Sequence, residues 1–225
     1  VQSCINAAPK GIVIHDRNGE PALRLHGRNS YFGTSTASPN NMDARTGEVH
    51  PTTLKDIERA ARVADALPNI DWVMPFGSAQ DVPGEIAEVY EFDAVVRHTT
   101  KPIAFCGYSG KGVARVYEMA AAVAGGMDAL AAKPFVVAYP EPITPLTYPH
   151  EVVERLFVAA DHFQPQIPTG TQQPGATAPI TLAGSLAQSA AESFMAVVLI
   201  QLRQKGAPVF MACNFGGFNM DTGLM

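Results

Sequence analysis

The chain has 225 residues, 47% of them hydrophobic, which is enough to bury a full core in one or two domains. Its formal net charge of −5 argues against nucleic-acid binding, because proteins with that function carry a basic face. The three cysteines are scattered and lack the spacing of a disulfide framework or a zinc site, so we expect a reducing, cytoplasmic environment and no bound metal ion.

The first 30 residues predict an accessory β-hairpin. Two β-rich runs, 12–15 and 22–26, flank Asp16-Arg17-Asn18-Gly19, and an Asn-Gly pair at that place favours a hairpin turn. Residues 31–35 predict a short strand that opens into a long polar loop, 36–51. We expect this loop to face the functional site, because loops of such length in compact domains are often functional.

From residue 53 onward, predicted helices and strands alternate. The helices lie at 53–67, 85–97, 113–123, 151–163 and 181–205, and the strands at 71–76, 102–106, 135–139, 167–169 and 207–213. Thr53 and Asp56 have the spacing of a capping box. Such alternation predicts an α/β fold with parallel strands, either a TIM-type (β/α)8 barrel or a doubly wound sheet. No Gly-x-Gly-x-x-Gly motif follows a strand, which favours the barrel.

The predicted barrel region, residues 31–225, holds only about five to six of the eight units that a closed barrel requires. We therefore expect a partial barrel, truncated at its C-terminal end. The chain starts at Val1 with no signal-peptide pattern, so we also expect it to begin inside a longer protein. No apolar run approaches the roughly 20 residues of a membrane-spanning helix, and no membrane contact is expected.

The segment from Gln172 to Gly184 predicts a β-to-α loop, the place where α/β enzymes carry functional groups. Its prolines, glycines and threonines suit a turn followed by a helix start, with Thr177 or Thr181 as N-cap. The following helix has a small face and a bulky face, which is typical of a helix lying close against a sheet. The small residues are Ala183, Gly184, Ala187, Ala190 and Ala191, and the bulky residues are Leu186, Phe194, Val198 and Leu202.

Polar and aromatic residues follow the predicted strands. The carboxylates there are Asp43, Asp81, Glu141 and Asp221; barrel enzymes gather functional groups at this place, although loops are polar in any protein. The aromatic residues either pack in the core or form a cage for a quaternary ammonium, held by cation–π attraction of about 0.5 to 2 kcal/mol per contact. They are Tyr31, Phe32, Phe76, Phe105, Tyr108, Tyr139, Tyr148, Phe215 and Phe218. No histidine has metal-site spacing, Cys106 and Cys213 suit the core, and no catalytic residue is assigned.

Several stretches resemble the trimethylamine methyltransferase family. They are Pro174 to Gly184, Ala191-Glu192, Leu199, Gln201-Leu202, Gly206 to Val209, and, earlier in the chain, 43–47, 51–56, 64–70, 81–83, 124–126 and 144–146. The resemblance implies a TIM barrel that transfers a methyl group from a methylated amine to the Co(I) of a separate corrinoid protein. The corrinoid (cobalamin) would be carried by that partner, so this chain is expected to bind no cofactor tightly. We also expect the protein to form a homo-oligomer.

The resemblance also bears on the substrate. The archetype of the family carries pyrrolysine and uses trimethylamine, whereas relatives without it are similar to glycine betaine methyltransferases. No pyrrolysine is written here, which favours a quaternary amine such as glycine betaine. Where an Asp-Met-Arg-Thr-Gly-like run is expected, this chain reads Asn219-Met220-Asp221-Thr222-Gly223, and the missing arginine indicates altered specificity.

The same resemblance implies site residues. Gly175 and Thr177 are expected to shape the site loop. The cation is expected to contact Phe76, Phe105 and Phe215. Asp43 and Asp81 are expected to give polar orientation, and Asn214 or Gln173 to bind a carboxylate group.

Three alternatives stay open. Trimethylamine is one alternative substrate, and a non-catalytic protein that binds quaternary amines or docks a corrinoid protein is a second possibility. The third is an unrelated barrel lyase or aldolase, which would need a metal or a Schiff-base lysine. Lys101, Lys111 and Lys133 lie near predicted strand starts rather than strand ends, which speaks against that enzyme class.

Overall fold

A computed structural model describes residues 1–36, 38–217 and 219–223. The helices are α1 (Gln2–Ala7), α2 (Leu54–Ala66), α3 (Ala87–Val96), α4 (Gly110–Ala124), α5 (Met127–Ala132), α6 (His150–Asp161) and α7 (Leu182–Arg203), with a 3-10 turn at Gly84–Ile86. The strands are β1 (Ile12–His15), β2 (Pro21–Leu25), β3 (Asn40–Met42), β4 (Val49–Pro51), β5 (Ile103–Phe105), β6 (Val136–Ala138), β7 (Thr171–Gln172) and β8 (Asn214–Phe215).

The chain divides into two compact units. The N-terminal unit is Lys10–Val137, and the C-terminal unit combines Val1–Pro9 with Ala138–Met225. The predicted hairpin is confirmed: β1 and β2 pair antiparallel, with Ile14 opposite Leu23, and lie in the N-terminal unit. The loop predicted at 36–51 contains a second small hairpin, because β3 and β4 also pair antiparallel.

Parallel pairing links the successive strands of the N-terminal unit. Gly33 bridges Trp72 and Val73 bridges Ile103, both in parallel, and β5 is hydrogen-bonded to β6. Helices α2 to α5 lie between these strands in the chain. Helix α2 begins with the predicted capping box, in which the Thr53 side chain accepts from the Asp56 N–H and Asp56 accepts from the Thr53 N–H. The order of strands and helices is that of an α/β protein, and the partial TIM-type barrel stays a prediction.

The C-terminal unit repeats the parallel pattern. Gln166 bridges Ala138 on one side and Val209 on the other, and β7 pairs parallel with β8. Its core joins α6 to α7 through Leu156, Ala160, Ala196, Ile200 and Ala207, all fully buried. Helix α1, which the sequence did not predict, packs against α7.

The buried face of α7 is neither the small face nor the bulky face that the sequence indicates. Leu186 is 44% exposed and Leu202 is 75% exposed, whereas the buried face begins with Ser185, Ser189 and Glu192. Two of these polar side chains have hydrogen-bond partners inside the protein: the Ser185 hydroxyl donates to the Pro179 carbonyl at 2.7 Å, and Glu192 accepts from the Leu146 N–H at 2.9 Å. Of the two candidate N-caps, Thr181 is confirmed, since its side chain accepts from the Gly184 N–H.

Helix α7 also differs from the expectation about membrane spans. Its 22 residues are long and apolar enough to cross a membrane by length and composition alone. Core helices of globular proteins meet the same criterion, and the buried serines and glutamate of α7 are characteristic of a helix packed inside a protein. We therefore interpret α7 as a core helix.

Asp65, in the last turn of α2, links that helix to the segment before β5 and gives the fold an acid-sensitive contact. One carboxylate oxygen of Asp65 accepts from the Thr99 hydroxyl and from the Thr100 N–H, each at 2.8 Å. Burial alone would raise the pKa of Asp65, but these hydrogen bonds outweigh it and hold the pKa below its usual value of 3.8.

Replacing Asp65 with asparagine is expected to lower the free energy of unfolding by about 1 to 3 kcal/mol at pH 7, because charge-assisted bonds are lost. The folded-state pKa is depressed, so the stabilisation is present above pH 3.8 and disappears as the pH falls through the folded-state value. Urea unfolding of wild type and Asp65→Asn at pH 7 and pH 3 measures the difference, which should shrink at pH 3. Glu48→Gln, at an exposed position, is the control and should change stability by less than about 0.5 kcal/mol. A difference that is independent of pH would contradict the assignment.

Candidate functional site

In the N-terminal unit, two segments that follow neighbouring strands meet at Tyr108. Tyr108 lies between β5 and α4, and Ser78 follows the strand of Trp72 and Val73. The Tyr108 hydroxyl donates to the Glu91 carboxylate, with distances of 3.3 and 3.1 Å to its two oxygens, and lies 3.2 Å from the Ser78 hydroxyl. Burial raises the pKa of the Tyr108 hydroxyl far above its usual value, so this group stays protonated and acts as the donor.

Glu91 is a buried carboxylate behind this contact. It is 2% exposed and also accepts from the Ala79 N–H at 2.8 Å, which ties it to the loop after Ser78. Burial raises the pKa of Glu91 above its usual value, while the bonds from Ala79 and Tyr108 act in the opposite direction.

A second buried carboxylate, Glu88, lies one helical turn before Glu91. Its Oε1 accepts from the Ser109 hydroxyl at 3.3 Å, at the start of α4. A Cβ at Gly112 would stand 1.6 Å from that oxygen, so glycine is required for the carboxylate to approach the helix. Two buried carboxylates of α3 therefore hold the segment at the start of α4: Glu91 accepts from Tyr108, and Glu88 accepts from Ser109.

In the C-terminal unit, a polar ridge runs over the ends of the parallel strands. The Asn214 side-chain amide donates to the Thr171 hydroxyl at 3.2 Å and to the Tyr139 hydroxyl at 3.4 Å. The Thr171 hydroxyl in turn donates to Glu141 at 3.4 Å. Asn214 and Thr171 are exposed, so this ridge offers hydrogen-bonding groups to solvent at the edge where α/β enzymes bind ligands.

The loop after β7 is compact. The Gln173 carbonyl accepts from the N–H groups of Ala176, Thr177 and Ala178, at 2.9, 3.0 and 3.1 Å, and the Thr177 hydroxyl accepts from the Gln173 N–H at 3.1 Å. Gly175 has a φ of +91°, a left-handed conformation that glycine adopts without strain. Gly175 and Thr177 thus shape this loop, and its predicted place in a substrate site stays a prediction.

A buried carboxylate on α7, Glu192, holds the segments around that loop. Glu192 is 1% exposed and accepts from the Leu146 N–H at 2.9 Å, from the Thr144 hydroxyl at 3.2 Å and from the Gln172 side-chain amide. A Cβ at Gly170 would stand 2.7 Å from Glu192 and 2.4 Å from Thr144, so the chain passes too close for any larger residue. Glu192 therefore ties the loop before α6, strand β7 and helix α7 to one another.

The predicted aromatic residues have different surroundings. The strand predicted at 71–76 is present only as isolated bridges at Trp72 and Val73, and Phe76, three residues after them, is 37% exposed, which is compatible with contact to a ligand. Phe105 is only 1% exposed and packs edge-on against Phe92 and Tyr117, with ring centroids 6.1 and 5.7 Å away. Its burial does not support the predicted contact with a cation. Phe215 has its backbone in β8, but its side chain and the whole of Phe218 lie outside the described residues.

The two predicted aspartates are occupied by local structure. Asp43 accepts from the N–H groups of Arg45 and Thr46, at 2.8 and 3.1 Å, and these bonds lower its pKa below the usual value. Asp43 thus closes the turn between β3 and β4. Asp81 accepts from the Leu54 N–H at 3.0 Å, at the start of α2. Their predicted role in orienting a ligand stays a prediction.

Sequence reasoning missed the three buried glutamates. Glu192 is the only charged residue in α7 before Arg203, whereas α3 has three carboxylates, Glu88, Glu91 and Asp93. For Glu192 a signal was available, because an isolated carboxylate in an apolar helix requires partners if it is buried. For Glu88 and Glu91 the sequence offered no such signal. Among residues 1–36, 38–217 and 219–223, no three His, Cys, Asp or Glu side chains are placed to hold a metal ion.

The chain is similar to known proteins over its whole length. Residues 1–225 match the family described as Trimethylamine methyltransferase (MTTB). A protein named Trimethylamine methyltransferase MttB from Desulfitobacterium hafniense (strain DSM 10664 / DCB-2) is 32% identical over 209 residues, covering 93% of this chain and 42% of the relative.

Two further relatives are similar over nearly the whole chain. A protein named Glycine betaine methyltransferase from Desulfitobacterium hafniense (strain Y51) is 28% identical over 227 residues, covering 99% of this chain and 47% of the relative. The Trimethylamine methyltransferase MttB of Methanosarcina barkeri (strain Fusaro / DSM 804) is 27% identical over 229 residues, covering 99% of this chain and 46% of the relative. The chain thus spans less than half the length of the relatives it matches.

Proposed function

This chain belongs to the trimethylamine methyltransferase family, and on that premise we propose that the protein transfers a methyl group from a quaternary amine such as glycine betaine to the Co(I) of a corrinoid protein. The observation that carries the proposal is the family match over residues 1–225. The similarity to a relative named Glycine betaine methyltransferase supports the substrate class.

The chemistry of the leaving group favours a quaternary amine. In the proposed step the C–N bond breaks, its electron pair stays on nitrogen, and the leaving group is dimethylglycinate, whose amine nitrogen is neutral and whose carboxylate is unchanged. The electron pair of Co(I) forms the new carbon–cobalt bond, which gives methyl-Co(III). A tertiary amine would leave as an anion unless it were first protonated or otherwise activated. A quaternary amine needs no such activation by the protein.

The protein would act by holding and orienting the amine rather than by acid–base catalysis. Its contributions are to align the methyl group for transfer and to exclude water from it. The half-exposed rings of Phe76 and Tyr108, at strand ends of the N-terminal unit, are of the type that attracts a permanent cation. The partner is a corrinoid protein, whose cobalamin is a co-substrate here.

The barrel lyase or aldolase is disfavoured by the surroundings of Lys101. The Lys101 ammonium donates to the carbonyls of Ala64 and Leu67, each at 2.7 Å, at the end of α2. A lysine engaged in this way, before its strand rather than after it, is poorly placed to form a Schiff base with a ligand at the strand ends.

A spectrophotometric assay tests the proposal. The full-length protein is mixed with cob(I)alamin, and glycine betaine, other betaines and trimethylamine are offered separately while the corrinoid absorption is followed. We expect methylation with a betaine and not with trimethylamine. Methylation with trimethylamine alone would make trimethylamine the substrate. No methylation with any amine, in a folded protein, would favour the non-catalytic binding protein.

A further inference from the structure

We propose that Tyr108 is a further substrate-binding residue, whose ring forms a wall against a quaternary ammonium group, and that Glu91 is the residue that positions this ring. The choice of ligand rests on the proposed function, whereas the position of the Tyr108 ring follows from contacts within the N-terminal unit alone.

The Tyr108 side chain is anchored through its hydroxyl group. A tyrosine at a protein surface commonly buries its ring and leaves the hydroxyl in water. In Tyr108 the hydroxyl is held by protein groups: the residue is 42% exposed, while its hydroxyl donates to buried Glu91 and lies 3.2 Å from the Ser78 hydroxyl. The anchored end fixes the ring, so a ligand that contacts it does not have to order a mobile side chain.

The hydrogen bond to Glu91 also affects the electrostatic potential of the Tyr108 ring. A phenol that donates to a carboxylate is more electron-rich than a free phenol, which strengthens the attraction of its face for a cation. The Glu91 carboxylate lies at the hydroxyl end of the ring, 3.1 Å from the phenol oxygen, and is only 2% exposed. Interactions with buried charges are screened less by solvent than those with surface charges.

The anchoring contacts are themselves fixed. The Ala79 N–H holds Glu91, and the Ser78 hydroxyl stands on the other side of the Tyr108 hydroxyl. Ser78 and Ala79 follow one strand, and Tyr108 follows its parallel neighbour. The wall therefore sits where two adjacent strands end, which is the edge that carries ligand sites in α/β proteins.

Calorimetric titration of the full-length protein, without the corrinoid partner, tests the inference. The probes are tetramethylammonium, glycine betaine and 3,3-dimethylbutanoate, which replaces the nitrogen of glycine betaine with carbon and so lacks the positive charge. Tyr108→Leu should weaken tetramethylammonium binding by about 2- to 30-fold, the range that one cation–π contact contributes. Glu91→Gln keeps a hydrogen-bond acceptor but removes the charge, and should weaken both cationic probes while leaving 3,3-dimethylbutanoate within about twofold.

The control is Tyr90→Leu, because Tyr90 is 44% exposed on α3 and should leave all three affinities unchanged. If Tyr108→Leu lowers the midpoint of thermal unfolding, its loss of binding could come from unfolding, and the affinities of Glu91→Gln then test the inference. Wild-type affinity for tetramethylammonium in both variants, or no binding by the wild type, would overturn the inference. If Glu91→Gln weakened 3,3-dimethylbutanoate as much as the two probes with a quaternary nitrogen, Glu91 would be a structural residue only. Failure of the proposed function looks different: the dependence on Tyr108 would remain, but no amine would methylate cob(I)alamin.

Discussion

Replacing Glu192 with leucine is expected to lower the free energy of unfolding by about 2 to 4 kcal/mol, because the Leu146 N–H and the Gln172 amide lose a buried acceptor. The same change should lower the rate of methyl transfer by about 10- to 100-fold. Glu192 holds the loop before α6 and strand β7, and small displacements of positioning groups have large effects on rate. Urea unfolding measures the first effect, and the corrinoid methylation assay measures the second.

Two further variants make this test specific. Glu192→Gln keeps one carbonyl acceptor but turns an N–H group toward donors, so it should have a smaller effect than leucine on both quantities. Glu154→Leu, on α6, removes a glutamate that is 50% exposed and should change stability by less than about 0.5 kcal/mol. A Glu192→Leu protein as stable and as active as wild type would show that the network does not hold the site.

Replacing Gly77 with alanine is expected to destabilise the protein by about 1 to 3 kcal/mol, the usual effect of forcing an extra group into a packed region. A Cβ at Gly77 would stand 2.3 Å from the Ser38 carbonyl oxygen and 2.9 Å from a methyl carbon of Thr52. The Ser38 contact is with backbone, so the loop after Gly77 must move. Because that loop carries Ser78 and Ala79, tetramethylammonium binding should weaken together with stability.

Gly84→Ala is the matched control, since no atom lies within 4 Å of the position that its Cβ would occupy. Its midpoint of urea unfolding should stay close to that of the wild type. An unchanged midpoint for Gly77→Ala as well would mean that the loop can relax freely, and would contradict the view that its position is fixed by close packing.

Local signals in the sequence predicted many of the elements. Helix α2 was predictable because Thr53 and Asp56 form a capping box, and the first hairpin because Asn18-Gly19 suits its turn. Helices α1 and α5 have six residues each, too few for a periodic pattern, and both were missed. Strands β3 and β4 have three residues each and lie in a polar loop, so they gave no alternation to recognise.

The candidate site was less predictable because its contacts join distant parts of the chain. Glu192 meets Thr144 across 48 positions, and Tyr108 meets Glu91 across 17. Phe105 looked like a strand-end aromatic, but tertiary packing placed it between Phe92 and Tyr117. Hydrophobicity alone also did not reveal the buried face of α7, where Ser185, Ser193 and Glu192 lie inside with hydrogen-bond partners from other segments.

The most direct test of the proposed methyl transfer is to identify both products from one reaction. The full-length protein is given cob(I)alamin and glycine betaine with three deuterated methyl groups, and mass spectrometry follows the amine and the corrinoid. We predict that deuterated dimethylglycine and deuterated methylcobalamin form in equal amounts. A folded protein that leaves the labelled glycine betaine intact, or releases the label without methylating cobalamin, would contradict the account.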